Sequence, residues 1–97
     1  MIVNERETEE GLLVAVCDTD VLGETFESES VSLTVTEEFY GGDEVDETAV
    51  VDSLARADVA NIVGTRSVEL AVEEGFVDEA NVLEVGSTRH AQLLRLY

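Results

Sequence analysis

The chain has 97 residues, a length that suits one domain with a single hydrophobic core, and we expect residues 1–97 to form that domain. Hydrophobic residues make up 44% of the chain, which is enough for such a core and more than disordered chains carry. Asp and Glu number 23 against 5 basic residues, none of them Lys, and the formal net charge is −18. The absence of Lys excludes a Walker-type phosphate loop and Schiff-base chemistry.

The acidic residues are spread along the whole chain rather than gathered in a tail or stripe. This dispersion favours adaptation to concentrated salt, because at molar ionic strength the Debye length falls to about 3 Å and the carboxylates no longer repel one another. The alternative is that the surface imitates nucleic acid or binds a basic protein. We therefore interpret the acidic surface first as halophilic, of the kind found in haloarchaea.

Cys17 is the single cysteine, which excludes an internal disulfide and favours the cytoplasm. The first residues form neither a basic region nor an apolar stretch of signal-peptide length, and no segment approaches a membrane-spanning run. We expect a soluble cytoplasmic protein that does not associate with membranes.

The amino-terminal part is predicted to consist of strands. Residues 1–5 and the apolar run 11–17 form an antiparallel pair that begins a meander, and the second of these strands is buried on both faces. Residues 21–26 are predicted as a kinked edge strand with Gly23 at a bulge, and residues 31–35 alternate as a half-buried strand does.

Helical periodicity begins after a loop predicted for residues 37–43. Apolar residues then recur at three- and four-residue steps, which predicts a long helix from an Asp46 cap to Gly64. Thr65 is predicted to cap a second helix that ends at Gly75, so the two helices would meet at Gly64.

The carboxyl-terminal part is predicted to form a single turn over 78–81 and a hairpin of strands 82–85 and 89–97. Strands followed by two helices and further strands indicate an α+β fold. The architecture we predict is a two-layer sandwich, a mainly antiparallel sheet with two adjacent helices on one face.

His90 is the one side chain whose ordinary pKa, about 6.5, allows proton exchange near neutrality. Strand alternation places His90 and Gln92 on one face with Leu94 and Leu96, which predicts two polar side chains on a core-directed face. They would either line a cleft, with His90 as proton donor or acceptor and Gln92 fixing a ligand, or satisfy buried backbone groups. We favour the second interpretation.

Other chemistry is weakly represented. A closed zinc site needs about four Cys or His ligands, and this chain offers Cys17 and His90, so we expect no metal and no cofactor. Acidic pairs such as Asp18 with Asp20 are interpreted as solvated turns. Cys17 ends a buried strand beside Asp18, an environment that raises the pKa of a thiol, and is interpreted as a core residue.

The segment Gly64-Thr65-Arg66-Ser67 opens the second predicted helix. Free N–H groups, the helix dipole and the Arg66 guanidinium would together attract a phosphate or carboxylate there. Ordinary helix capping is the alternative, and we favour it.

Several short motifs occur in a fixed order, and in combination they are specific. They are Glu9 to Asp18, Leu22-Gly23, Phe39-Tyr40-Gly41-Gly42, Ala60-Asn61-Ile62-Val63-Gly64 and His90-Ala91-Gln92. With these motifs the chain resembles the archaeal domain-of-unknown-function 424 family over nearly its whole length. The resemblance implies a small, single-domain, cytoplasmic archaeal protein without an assigned reaction, here a halophilic member. The candidate ligand-binding residues are Asn61, Gly64, Arg66, His90, Gln92, Tyr40, Gly41 and Gly42.

These observations favour a non-enzymatic binding or accessory module of archaeal translation or RNA metabolism, which acts through a protein partner or an anionic ligand. The net charge disfavours direct binding of nucleic acid but does not exclude it. One alternative is a small enzyme that uses His90 as general acid or base, with no further catalytic residue assigned. Another is a homodimeric structural or regulatory subunit.

Overall fold

The computed structural model describes residues 1–95, so the last two residues of the predicted strand 89–97 lie outside the described part. None of the helices within it is long and apolar enough to cross a bilayer. In chain order the elements are β1 (Ile2–Thr8), β2 (Gly11–Cys17), a 3-10 turn (Thr19–Val21), β3 (Thr25–Glu27), β4 (Ser32–Thr34), α1 (Glu37–Tyr40), β5 (Asp43–Glu44), α2 (Glu47–Arg56), β6 (Val59–Val63), α3 (Thr65–Glu73), a second 3-10 turn (Glu79–Asn81), β7 (Leu83–Val85) and β8 (Thr88–Leu94).

Six of these strands form one sheet in the order β5-β1-β2-β6-β8-β7. All neighbours in it are antiparallel except β2 and β6, which run parallel. Strands β3 and β4 form a separate antiparallel hairpin. The predicted α+β class and the mainly antiparallel sheet are confirmed.

Helices α2 and α3 both pack on one face of the large sheet, as predicted. Val14 of β2 and Ile62 of β6 lie in one buried cluster with Leu54 of α2 and Val68 of α3. Each of these side chains is fully buried. This cluster is the main hydrophobic core.

A second, smaller core lies on the opposite face of the sheet. There the β3–β4 hairpin and α1 cover Cys17 and Val63, and they contribute Val35 and Tyr40 to the cluster. These elements shield only one end of that face, so they add a partial third layer to the predicted two-layer sandwich.

The prediction of one helix from Asp46 to Gly64 is wrong in its second half. Asp46 does cap the helix, since its carboxylate accepts from the N–H of Ala49 at 2.9 Å, but α2 ends at Arg56. The residues that follow form β6, which pairs with β2 on one side and β8 on the other. Apolar residues of this buried strand happen to fall at helical spacing. The two helices therefore do not meet at Gly64, because β6 separates them.

Two further predictions in the amino-terminal part need correction. Residues 21–26 do not form an edge strand of the large sheet, and Gly23 lies outside any strand, its N–H donating to the carbonyl of Val35 at 2.7 Å. The predicted loop 37–43 contains α1 and the start of β5. Thr36 begins α1, since its hydroxyl accepts from the N–H of Phe39 at 3.3 Å.

The second helix ends as predicted and begins differently. Gly75 adopts a positive φ of 79° just beyond α3, and Phe76 and Val77 pack against the main core. Thr65 is not the cap but the first helical residue, and Gly64 in the capping position has no side chain to offer. The cap comes from Asp18, which directly follows β2.

Candidate functional site

One part of the sheet surface stays uncovered by residues 1–95. It lies opposite α2 and α3, beyond the reach of the β3–β4 hairpin and α1, and we call it the open face. Strand register places its members in rows that run across the sheet, since Ala15, Asn61 and Gln92 are neighbours and so are Val63, His90 and Leu83. The open face consists of the partly or fully exposed residues Leu13, Val59, Asn61, Leu83, His90, Gln92 and Leu94.

Three of the candidate residues come together on this face. Asn61 on β6 lies opposite Gln92 on β8, and the Gln92 Nε2 donates to Asn61 Oδ1 at 2.9 Å. His90 lies two residues before Gln92 on the same face. The sequence placed Asn61 on a helix, so this juxtaposition follows only from the strand pairing.

His90 borders an open groove of about 480 Å³. Burial lowers the pKa of its imidazole from the ordinary value of 6.5, which favours the neutral ring at pH 7. Among residues 1–95 the ring finds no hydrogen-bond partner, and no other lining residue is titratable. The groove is lined by Asn81, Leu83, His90, Ala91, Gln92 and Leu94.

Leu83 and Leu94, the most exposed large hydrophobic side chains among residues 1–95, lie beside this groove. Leu94 is 64% exposed and Leu83 is 46% exposed. The prediction that Leu94 points into a core is wrong, because no element within residues 1–95 covers this part of the sheet. Gln92 is exposed as well, so it does not satisfy a buried backbone group.

Carboxylates are missing from this side of five of the six strands, the exception being Glu44 of the edge strand β5, which pairs with Ile2. Strands β1, β2, β6, β7 and β8 place no Asp or Glu on this side, although the chain contains 23. The acidic surface is therefore interrupted here. The residues on this side, in strand order, are Ile2, Asn4, Arg6, Thr8, Gly11, Leu13, Ala15, Cys17, Val59, Asn61, Val63, Thr88, His90, Gln92, Leu94, Leu83 and Val85.

The amino terminus of α3, the predicted anion site, is already occupied by a carboxylate of this chain. Asp18 accepts from the backbone N–H groups of Arg66 at 3.0 Å and Ser67 at 2.8 Å, and from Ser67 Oγ at 2.6 Å. Gly64 adopts a φ of 118°, and a Cβ added there would overlap Asp18. Gly64 is therefore required by this close approach.

The Arg66 side chain is also engaged. Its guanidinium pairs with Glu47 of α2 and with Glu69 one turn further along α3, at 3.1 Å. The favoured alternative, helix capping, thus describes this region, and both the N–H groups and the guanidinium already bind carboxylates of the chain.

Tyr40, Gly41 and Gly42 attach α1 to the edge of the sheet, away from the open face. Tyr40 is buried, and burial raises the pKa of its hydroxyl to about 12. The Gly41 carbonyl accepts from Asn4 Nδ2 at 2.5 Å. A Cβ at Gly42 would overlap the carbonyl oxygen of Val3. These three residues have structural reasons for their identity.

Cys17 and His90 do not form a dyad. They lie on the same side of the sheet, but Val63 of β6 stands between them in the register, which separates their backbones by roughly 10 Å. Cys17 is fully buried, and burial raises the pKa of its thiol to about 11, as the sequence predicted in direction. No group of three metal-binding side chains converges within residues 1–95.

All of the arginines are engaged within the chain. Arg6 lies 5.2 Å from the Phe39 ring centre and donates to the Glu38 carbonyl, and Arg95 donates to the Ala57 carbonyl at 2.5 Å. The remaining arginines, Arg56, Arg66 and Arg89, pair with carboxylates. Each guanidinium therefore already has a partner.

The chain matches a known family in sequence and a solved structure in fold. A family model described as protein of unknown function, DUF424, matches residues 5–96. The chain belongs to this family. A solved structure, that of an uncharacterized conserved protein from Methanopyrus kandleri, resembles this DUF424 chain with a TM-score of 0.77 and 22% identity, covering 99% of this chain and 94% of that chain. This likeness establishes the fold. No curated protein matches the chain.

Sequence reasoning missed two parts of this DUF424 chain that matter for the site. It did not connect Asp18 with the start of α3, although an Asp directly after a buried strand is a signal for a helix cap at the same sheet edge. It also missed the groove, since Asn81 and Leu83 belong to a turn and a short edge strand that carry no motif.

Proposed function

We propose that this protein is a non-enzymatic accessory module that binds a protein partner through the open face. The setting we infer is translation or RNA metabolism in a salt-adapted archaeal cytoplasm. A net charge of −18 without Lys supports the salt-adapted part of this proposal.

The single observation that carries the proposal is the composition of the open face. It presents Leu94 at 64% exposure and Leu83 at 46% around an amide pair, with no carboxylate, in a chain of net charge −18. Exposed apolar patches mark interaction sites, and the cores of interfaces are depleted in charged residues. A protein partner would bury the leucines and pair with the amides.

The arginines support a protein partner over nucleic acid. Binding of RNA depends on cations that neutralise phosphates. Every guanidinium here already contacts a carboxylate, a carbonyl or a ring of the same chain. A phosphate backbone would therefore meet mainly carboxylates.

The enzyme alternative has less support. General acid–base catalysis by His90 would need a second titratable group within hydrogen-bond reach. His90 is the one titratable residue among those that line the groove. A second group would have to come from the substrate or from another molecule.

Site-directed photo-crosslinking in native-host extract at high salt tests the proposal. A benzophenone amino acid replaces Gln92 on the open face in one variant and Ala55, an exposed residue of α2, in a control. We expect a discrete protein adduct at position 92 that unlabelled protein competes away, and no such adduct at position 55. The identity of the adduct then decides whether the partner belongs to translation or RNA metabolism.

Two results would overturn the proposal. One is the same set of adducts at both positions, which would indicate non-specific contact. The other is an adduct that ribonuclease destroys and protease does not, which would indicate that the open face binds RNA directly.

A further inference from the structure

Resting on the proposed function, we propose that the open face binds a short, positively charged peptide segment that inserts aliphatic side chains into the groove beside His90. The occupant is thus a segment of another protein, recognised by aliphatic anchors and flanking cations.

The size of the open face favours a segment over a globular partner. It spans the four strands β2, β6, β8 and β7, about 15 Å across, and about 13 Å along β8 from His90 to Leu94. The projected area is therefore about 200 Å², whereas a stable interface between folded proteins buries about 800 Å² on each partner. A peptide-sized occupant matches this area.

The residues that line the groove favour aliphatic side chains in the bound segment. Leu83 and Leu94 lie at its sides, and the exposed parts of both are apolar surface that an aliphatic side chain would remove from water. Burial lowers the pKa of the His90 imidazole, which favours the uncharged ring at the groove. The Asn61–Gln92 pair offers amide groups to the backbone of a bound segment.

The negative charge around the groove favours positive charge in the parts of the bound segment that flank its aliphatic anchors. Exposed Glu84 follows Leu83 on the edge strand β7, and strand alternation turns its side chain to the opposite side of the sheet, so its carboxylate lies beyond the edge of the groove and not on its floor. In concentrated salt, where the Debye length is about 3 Å, charges act mainly at contact, and at contact a surface with a net charge of −18 favours a cationic segment over an anionic one. Lys or Arg residues that flank the anchors would meet this negatively charged surface beyond the edge of the open face.

The same charges disfavour the other occupants. A second copy would bring a further net charge of −18 against the same negatively charged surface, over an area too small to compensate. An RNA strand would bring phosphates to a chain whose guanidiniums are all engaged.

A titration with three matched synthetic peptides, followed by NMR of labelled protein, tests the proposal. The probes share one length: a Lys/Leu peptide, a Glu/Leu peptide that reverses the charge, and a Lys/Ser peptide that removes the anchors. We expect the Lys/Leu peptide to shift the side-chain amide signals of Asn61 and Gln92 and the backbone of β8. The other two should bind at least about tenfold more weakly.

Two variants with one added hydroxyl each locate the binding. Leu94→Ser removes an apolar side chain from the open face without adding charge, and Ala55→Ser is the matched change on exposed α2. We expect Leu94→Ser to weaken binding of the Lys/Leu peptide at least about tenfold and Ala55→Ser to change it less than about twofold. Both positions are exposed, so both variants should fold, which circular dichroism checks.

Three results would overturn this inference. The first is that the Lys/Leu and Lys/Ser peptides bind equally, or that their shifts spread over the acidic surface. The second is a dimer in sedimentation equilibrium that Leu94→Ser dissociates. The third is that a 12-residue oligouridylate shifts the same signals. If the peptides fail while the Gln92 crosslink still captures a discrete protein, the proposed function stands and only the chemistry of its segment is wrong.

Discussion

Asp18 shows how one residue can satisfy groups far away in the chain. It follows β2, while α3 follows β6, and β2 and β6 are parallel neighbours. The carboxyl ends of parallel strands meet at the same edge of a sheet, so the Asp18 carboxylate reaches the first N–H groups of α3. It thereby acts as the cap that Gly64 cannot provide.

Loss of this cap should destabilise the protein measurably. We expect Asp18→Ala to lower the free energy of unfolding by about 2–3 kcal/mol, because the N–H groups of Arg66 and Ser67 and the Ser67 hydroxyl lose their acceptor. Asp18→Asn keeps one acceptor oxygen and should cost less. Urea denaturation measures both, and Asp20→Ala, at an exposed site in the same turn, is the control. Equal losses at positions 18 and 20 would contradict the capping role.

His90 gives the protein a pH dependence of defined sign. Burial lowers the pKa of its imidazole below 6.5 in the folded state, so the unfolded chain binds the proton more readily. The stability contribution of the neutral ring is present above the unfolded pKa and is lost as the pH falls through 6.5 towards the folded pKa.

A comparison with His90→Gln isolates this contribution. Between about pH 7.5 and about pH 5.5, the wild type should lose stability relative to the variant, since the carboxylates provide the same background in both. Thermal denaturation at several pH values measures the difference. If the two proteins show parallel pH profiles, the ring titrates alike in the folded and unfolded chains.

At the scale of elements, β6 is the strand that connects the two cores and the open face. It is the inner strand between β2 and β8, it separates the two helices in sequence, and it contributes to both cores through Ile62 and Val63. It also carries Asn61 to the open face. The β3–β4 hairpin, in contrast, pairs with no strand of the large sheet.

Hydrogen exchange should reproduce this hierarchy. We expect the backbone amides of β2 and β6 to exchange most slowly, near the rate of global unfolding, because both are central strands that contribute buried side chains to both cores. The amides of β3, β4 and the two-residue strand β5 should exchange fastest among the strands. Native-state exchange followed by NMR measures this order. Protection of β3 and β4 equal to that of β6 would show that the hairpin unfolds only with the sheet.

At the scale of the whole molecule, charge is distributed unevenly. The chain carries a net charge of −18, yet the open face of its sheet presents no carboxylate. Under the proposed salt adaptation acidic residues can lie anywhere on the surface, and under the proposed function a face without them is a binding site. This contrast separates salt adaptation from binding.

Stability should rise strongly with salt if the acidity is an adaptation to it. Screening of the like charges lowers the repulsion that opposes the compact state, and the Debye length falls from about 10 Å at 0.1 M to about 3 Å at 1 M. We expect a higher melting temperature in about 3 M than in about 0.1 M potassium chloride, measured by circular dichroism. Equal melting temperatures in the two solutions would contradict the halophilic interpretation.

Local patterns were sufficient for several elements of this fold. The apolar run of β2, the Asp46 cap, the Gly75 stop and the carboxyl-terminal hairpin depend on neighbours within a few residues, and they were predicted correctly. The segment that forms β6 was predicted as a helix, and this prediction was wrong. Its apolar residues fit both a helix and a buried strand, and only pairing with β2 and β8 decides between them.

The sequence by itself was sufficient to predict the α+β class of this protein and a short set of polar candidates that included Asn61, His90 and Gln92. Tertiary structure alone decided which of them meet. The strand register pairs Asn61 with Gln92, and the parallel β2–β6 pair delivers Asp18 to Gly64. The uncovered end of the sheet leaves Leu94 exposed. The physical reason is that contacts between distant segments depend on topology, which local periodicity does not encode.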